Sequence, residues 1–315
     1  MRTVSFRDAL SFVILCLIWG STWIGIKAGI ETVPPLLFAS SRFIVAGLLL
    51  LLFARLREEG AGLDRRDLPR FAGVSLLMIS LCYGPLFWGM QYVNSGTAAV
   101  LEMSLTVIAL LTFALLLGEE RWHAGRAFAI ALGIGGLLIL YGPDALNGEG
   151  GAGPYHAWGM LAVASSSFTY SLGAVLAKPL LRRYPPFFVA GMTTLVGGLF
   201  LLAYALPFEE GALAATSGDW GWTAWGGWLF LVLFGSLIGY TIYMRLLRDI
   251  GASRSGSYAF VSPVIAVLLG MVLLGEQVDM LDVLGMAVMI AAAWLALRGR
   301  DEAEPAGEAT LSEGR

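Results

Sequence analysis

Lys27, Arg42 and Glu102 each interrupt a long run of apolar residues. An ionised side chain in such surroundings is costly unless it meets a partner or a wet cavity. Two kinds of chemistry fit them. Arg42 or Lys27 could hold a carboxylate, and Glu102, the one acid well inside such a run, could take up and release a proton. The alternative is structural. Arg42 and Glu102 lie about six or seven residues into their runs, roughly 10 Å deep at 1.5 Å per residue, so they could pair and tie two helices together.

A second constellation is aromatic and hydroxylic. Trp19 and Trp23 share a helical face, as do Tyr83 and Phe87, with Trp88 beside them and Gln91 a turn further. Ser166 and Tyr170 share another face, Tyr240 and Tyr243 are neighbours on one run, and Tyr258 adds a phenol on the next. Each residue alone fits ordinary helix packing. As a set, ring faces with sparse hydroxyls suit a pocket for an amphipathic solute or a cation.

Other chemistries do not find their residues. The sequence has no HExxH, no GxSxG, no His–acid cluster and no Walker A motif, which argues against an enzyme and against ATP-driven pumping. His123 and His156 stand alone, so no metal site and no cofactor are expected. Cys16 and Cys82 lie inside apolar runs and read as free thiols. Gly118-Glu119 and Gly275-Glu276 each precede a helix, where an acid suits the positive end of the helix dipole. Gly25 with Gly29, and Gly235 with Gly239, have the small-xxx-small spacing of close helix contacts.

Hydropathy supplies the elements that would position these groups. Hydrophobic residues make up 57% of the 315-residue chain and charged ones 14%, with mean hydropathy +0.76, against roughly half and a quarter in soluble domains. Runs long enough to cross a hydrocarbon core of about 30 Å fall at 9–30, 35–55, 71–92, 96–117, 124–141, 156–177, 186–206, 224–247, 257–275 and 281–298. They predict an all-α integral membrane protein of ten transmembrane helices. Pro34-Pro35, Gly142-Pro143, Pro185-Pro186 and Pro207 mark the turns. The first run has no small-x-small cleavage site, so it reads as a membrane helix rather than a signal peptide.

The basic residues give a direction. Of the 20 Lys and Arg, all but Lys27 and Arg42 fall at the termini, in alternate loops or at the helix ends that adjoin them. The loops of the other side hold none, though they carry Glu31, Asp144, Glu209, Glu210 and Asp219. Cytoplasmic loops are the positive ones, which places both termini in the cytoplasm and the chain in the inner or plasma membrane of the cell. No basic patch for nucleic acid is present. Trp158, Trp220, Trp222, Trp225 and Trp228 read as an interfacial belt, and the polar tail 299–315 reads as disordered.

The chain also resembles itself. A shift of 151 residues pairs Lys27 with Lys178, Pro34-Pro35 with Pro185-Pro186 and Gly47-Leu48 with Gly198-Leu199. A shift of 157 pairs Tyr83 with Tyr240, Ala109 with Ala266 and Leu116-Leu117-Gly118-Glu119 with Leu273-Leu274-Gly275-Glu276. The expected organisation is a first repeat over 9–141, an outer linker over 142–155 and a second repeat over 156–298. Five helices per repeat is an odd number, so the second copy enters from the opposite face. Two inverted five-helix repeats are an architecture of secondary transporters, with the site near the midplane.

Trp19-Gly-Ser-Thr-Trp23, the run 38–52 containing Arg42-Phe43, and Ser95-Gly-Thr-Ala-Ala99 followed by Gly118-Glu119 resemble an EamA domain. Ser253 to Glu276, with Ser262-Pro263, resembles it again in the second copy. The likeness is to the drug/metabolite transporter superfamily and covers about 9–298. The proline expected in the fourth helix is replaced around Leu105-Thr106, whereas Pro263 is present in the ninth. The resemblance implies a ten-helix carrier exporting amino acids, metabolites or drugs, without a cofactor. The expectation is therefore a secondary transporter of small organic solutes, working by alternating access. Its partners would be a small-molecule substrate, the lipid bilayer and protons as coupling ion, with no oligomeric state implied. A passive channel is the alternative, and an intramembrane lipid-modifying enzyme a weaker one.

Overall fold

A computed structural model describes residues 4–57, 62–93, 95–120, 122–146, 154–269, 271–272 and 280–298. The side chains of Trp23, Lys27, 95–100, 141–146 and 298 lie outside that description, as do Glu276 and the tail from Gly299. Among the described residues every regular element is helical. The long helices are α1 (Phe6–Ile30), α2 (Pro35–Leu56), α3 (Arg65–Gly89), α4 (Ser95–Leu116) and α5 (Ala124–Leu146). They continue as α6 (His156–Arg183), α7 (Pro186–Phe208), α8 (Trp222–Ile250), α9 (Ala252–Leu269) and α10 (Met280–Arg298). Eight of them, all but α4 and α5, are long and apolar enough to cross a membrane. The described side chains of α4 and α5 form shorter apolar stretches, Leu101–Leu116 and Ala124–Leu140.

Local signals set the ends. Ser5 and Asp8 form a capping box that starts α1. Pro35 and Pro186 occupy the first turns of α2 and α7, where a missing N–H costs nothing. Gly118 (φ 69°) and Gly251 (φ 90°) stop α4 and α8 in conformations that favour glycine. α6 runs past the expected end at 177 because Lys178, Arg182 and Arg183 suit the negative end of its dipole. α3 and α8 each contain a π-helical stretch, Leu76–Ser80 and Leu231–Tyr240. The shift of 157 residues superposes these two stretches.

Packing pairs repeat in the same way. α2 lies along α7 and α5 along α10, while α4 packs on α6 as α9 does on α1. Contacts at glycine are reciprocal. A Cβ at Gly47 would lie 2.5 Å from the Leu195 nitrogen, and one at Gly198 would lie 2.9 Å from that of Ile44. Gly136 faces the Gly285 carbonyl at 3.0 Å, and Gly285 faces that of Gly136 at 3.1 Å. Of the two expected small-xxx-small spacings, Gly25, Gly235 and Gly239 fall where α1 meets α8, while Gly29 packs on the Phe38 ring of α2.

The face where α1 begins is fastened by charge. Glu119 meets Lys178 at 3.2 Å and Arg182 at 2.6 Å, Arg183 meets Asp64 and Asp67, and Arg245 meets Asp8 at 3.5 Å. Glu120 holds Arg126 and accepts from the Ser253 amide, capping α9. The Arg66 amide and Arg183 draw the Asp64 carboxyl below the usual range. The opposite face is joined by hydrogen bonds. Glu209 accepts from the Leu36 and Leu37 amides at the start of α2, although burial pushes its carboxyl upward. Thr32 donates to the Trp220 carbonyl and Trp228 to Ser41. Trp222 and Trp158 are exposed as a belt requires, but Trp220 is buried against Phe38 and Trp225. Part of the expected belt is therefore internal packing.

Replacing Gly47 with Leu forces side-chain atoms into the α7 backbone and should destabilise the fold by about 1–3 kcal/mol or more. Gly73→Ala, where a Cβ meets nothing within 4 Å, should leave it unharmed. Melting of both variants in one detergent checks the contrast.

Candidate functional site

A cavity of about 90 Å³ lies where α1, α2, α3, α4, α6, α8 and α9 meet. Its share of space corresponds to a few waters at about 30 Å³ each. Both halves of the chain supply its walls. Trp19, Thr22 and Ile26 come from one face of α1, and Arg42 with Phe43 from α2. α3 adds Cys82, Tyr83, Leu86, Phe87 and Met90; α4 adds Glu102 and Met103. Tyr170 from α6, Ser236 and Tyr240 from α8, and Tyr258 and Ser262 from α9 close the far side.

Helix irregularities aim these side chains. Pro85 carries no amide hydrogen, so the Leu81 carbonyl lacks its helical partner, and Thr169 of α6 donates to it at 3.0 Å. In the π-helical part of α8, the Gly235 carbonyl accepts from the Trp19 indole at 3.3 Å. A Cβ at Gly239 would strike that indole nitrogen at 2.7 Å, so glycine there makes room for the ring. Ser167 and Ser171 donate to the Glu102 and Thr106 carbonyls, fixing α4 to α6.

Rings dominate the walls. Trp19 meets Tyr258 edge-on at 4.6 Å, and Phe43 meets Tyr83 at 4.8 Å. Tyr243 does not line the cavity but sits against four rings that do or nearly do: Trp19, Tyr170, Tyr240 and Tyr258, at 5.2 to 6.4 Å. It is completely buried.

The polar groups are the unusual part. Arg42, 4% exposed, places its guanidinium over Phe43 at 4.4 Å and Tyr83 at 5.3 Å. Its Nε has no hydrogen-bond partner, nor have Glu102 Oε2 and the Ser262 hydroxyl. All three residues border the cavity. Such an orphan costs about 1–3 kcal/mol, more if charged, and hydrocarbon cannot relieve it. Water or a solute in the cavity can.

Several expectations change here. Arg42 and Glu102 share the cavity, but no ion pair joins them: stacking on Phe43 and Tyr83 draws the guanidinium to the rings. Trp19, Tyr83, Phe87, Tyr170, Tyr240 and Tyr258 come together there, with Tyr243 directly behind them. Trp88 and Gln91 face away, into a groove of about 880 Å³ between α3 and α7. Ser166 lines neither; its hydroxyl donates to the Val163 carbonyl one turn earlier. Trp23 and Lys27 lie outside the described side chains. Thr22, Ile26, Phe43, Ser236 and Ser262 were not singled out. Helical spacing from Trp19, Tyr240 and Tyr258 carries four of them, and adjacency to Arg42 carries Phe43.

The EamA-like transporter family matches residues 8–142 and again 157–298. The chain belongs to that family. The inner membrane transporter YedA of Escherichia coli K12, described as uncharacterized, is 32% identical over 91% of this chain and 89% of its own. The transporter YoaV of Bacillus subtilis, likewise uncharacterized, is 27% identical over 88% and 91%. A crystal structure 19% identical in sequence aligns with a TM-score of 0.74 over 92% of this chain and 96% of that one, a likeness of fold alone. This EamA-like chain is thus a multi-pass membrane transporter, and a small-molecule site within the bilayer is what such a protein needs.

Because the Tyr243 hydroxyl meets at most the neighbouring Tyr170 hydroxyl, Tyr243→Phe should cost no more than about 0.5–1.5 kcal/mol, whereas Tyr243→Ala should cost about 3–5 kcal/mol. Thermal unfolding in detergent measures both.

Proposed function

We propose that this EamA-like transporter is a secondary carrier that moves a small organic solute through the aromatic cavity by alternating access. The cavity carries the reading: it is walled by both halves of the chain and bordered by Arg42 Nε, Glu102 Oε2 and the Ser262 hydroxyl, none with a partner. Arg42, with Lys27 as a further cation, receives the solute's anionic group. The rings of Trp19, Tyr83 and Tyr258 take its apolar part. Glu102 is the protonatable group that couples transport to a pH gradient. The finer form is export of an amino-acid, metabolite or drug-like solute.

The architecture proposed is ten spans in two inverted five-helix repeats, α1–α5 and α6–α10, with both termini in the cytoplasm. Reciprocal contacts at Gly47 and Gly198, with Leu195 and Ile44 equated by the same 151-residue shift, support it, as do the matching π-helical stretches. An element related to its partner by a two-fold axis meets it through the same residues in both directions. The basic residues on one face support the orientation.

Reconstituted into proteoliposomes, the protein should show saturable flux and counterflow in a screen of amino acids and small amphiphiles. Linear flux without counterflow would mark a channel. Glu102→Gln should abolish stimulation by a pH gradient while keeping counterflow; undiminished stimulation in a folded variant rejects the coupling role. Arg42→Gln should raise KM for anionic solutes about ten-fold or more, the loss of a charge-assisted hydrogen bond of about 1.5–3 kcal/mol.

A further inference from the structure

The cavity is not centred between the halves. Along α1, Trp19, Thr22 and Ile26 line it, but of the residues 151 later only Tyr170 does. Gly173 is packed on Met78 and Ala177 is fully buried. The second pair of helices repeats the skew. On α3, Tyr83, Leu86, Phe87 and Met90 line the cavity, whereas 157 residues later only Tyr240 does. Tyr243, Met244 and Leu247 are completely buried. In both pairs the lining residues extend towards the face opposite the termini, and their counterparts towards the terminal face are sealed. The Glu119–Lys178–Arg182 cluster joins the two halves behind that seal.

We infer that Tyr243, Met244 and Leu247 form the gate on the terminal face, closed here and latched by Glu119. The same segment lines the cavity when access reverses, while Leu86, Phe87 and Met90 then close the other side. This inference rests on the carrier reading. Tyr243 acts as the plug because its ring fills the space between Trp19, Tyr170, Tyr240 and Tyr258. The Glu119 pairs exist only where α4 meets α6, so removing them penalises the closed state alone and shifts the population.

Met90 and Leu247 are equivalent by the 157-residue shift and serve as reporters. In a background with Cys16 and Cys82 changed to Ser, Met90→Cys should react with a membrane-impermeant maleimide only from the face opposite the termini. Leu247→Cys should be protected from both faces. Adding Glu119→Gln should speed Leu247→Cys labelling from the terminal face about five-fold or more, the shift a small coupling free energy produces, and slow that of Met90→Cys. Arg182→Gln, which cuts the latch at an exposed side chain, gives the same pattern more weakly and serves if Glu119→Gln does not insert. Equal labelling of both cysteines in the parent, or changes of the same sign at both on cutting the latch, would overturn the gate. Reciprocal labelling alongside linear, non-saturating flux would overturn the carrier reading alone.

Discussion

Where α2 meets α7, Gly47 against Leu195 and Gly198 against Ile44 let the two backbones touch with no side chain between them. Lipid tails are as apolar as leucine, so helices in a membrane gain little from hiding apolar surface and associate through packing and hydrogen bonds. Close approach at small residues is therefore the main cohesive term available, and the same device recurs between α5 and α10. Both contacts lie outside the ring of side chains that lines the cavity. The wall helices use the same device across the halves, Gly227 against the Gly25 carbonyl between α8 and α1 and Gly89 against the Gly159 carbonyl between α3 and α6.

Polar groups divide into two populations by the same logic. At the ends of the helices Glu119, Glu120, Asp64 and Asp67 have found partners on one face and Glu209 on the other. In the middle, Arg42 Nε and Glu102 Oε2 have none, although both residues reach the same small space. Phe43 is the reason on the arginine's side. The residue next along α2 turns its ring under the guanidinium at 4.4 Å and, with Tyr83, supplies a face that is attractive without being a hydrogen-bond acceptor. The Nε donor is left available.

Much of this was legible in the sequence. The helices lie where the apolar runs predict, and the repeat landmarks, Gly47 with Gly198 above all, turn out to be the contact residues. The aromatic set was legible as a set, because residues four apart on a helix share a face whatever that face meets. Which side of α3 faces inward was not. Tyr83 and Phe87 enter the cavity, while Trp88 and Gln91 turn to the groove beside α7; the rotation is fixed by the π-helical turn and Pro85, which shift register in a way hydropathy does not record. The Arg42–Glu102 pair failed for a related reason. Equal depth brings two charges to one level, but a ring one residue away competes for the cation.

The two copies share two of their ring positions and differ in their charges. By the repeat shifts Trp19 corresponds to Tyr170 and Tyr83 to Tyr240, but Arg42 corresponds to Thr193 and Glu102 to Ala259. Thr193 is buried with its hydroxyl on the Val189 carbonyl, so it offers no free charge or donor in Arg42's place. In the carrier reading this difference has a consequence. A pair of identical halves would present the solute with the same surroundings from either side of the membrane. Here the rings of the Trp19–Tyr170 and Tyr83–Tyr240 pairs are common to both states, while the ionic contacts belong to the first repeat alone. Binding energy from those paired rings is then nearly uniform between the two access states and does not move the equilibrium. The interactions of Arg42 and Glu102 differ between them, and a difference in protonation of Glu102 is the term that a proton gradient can drive.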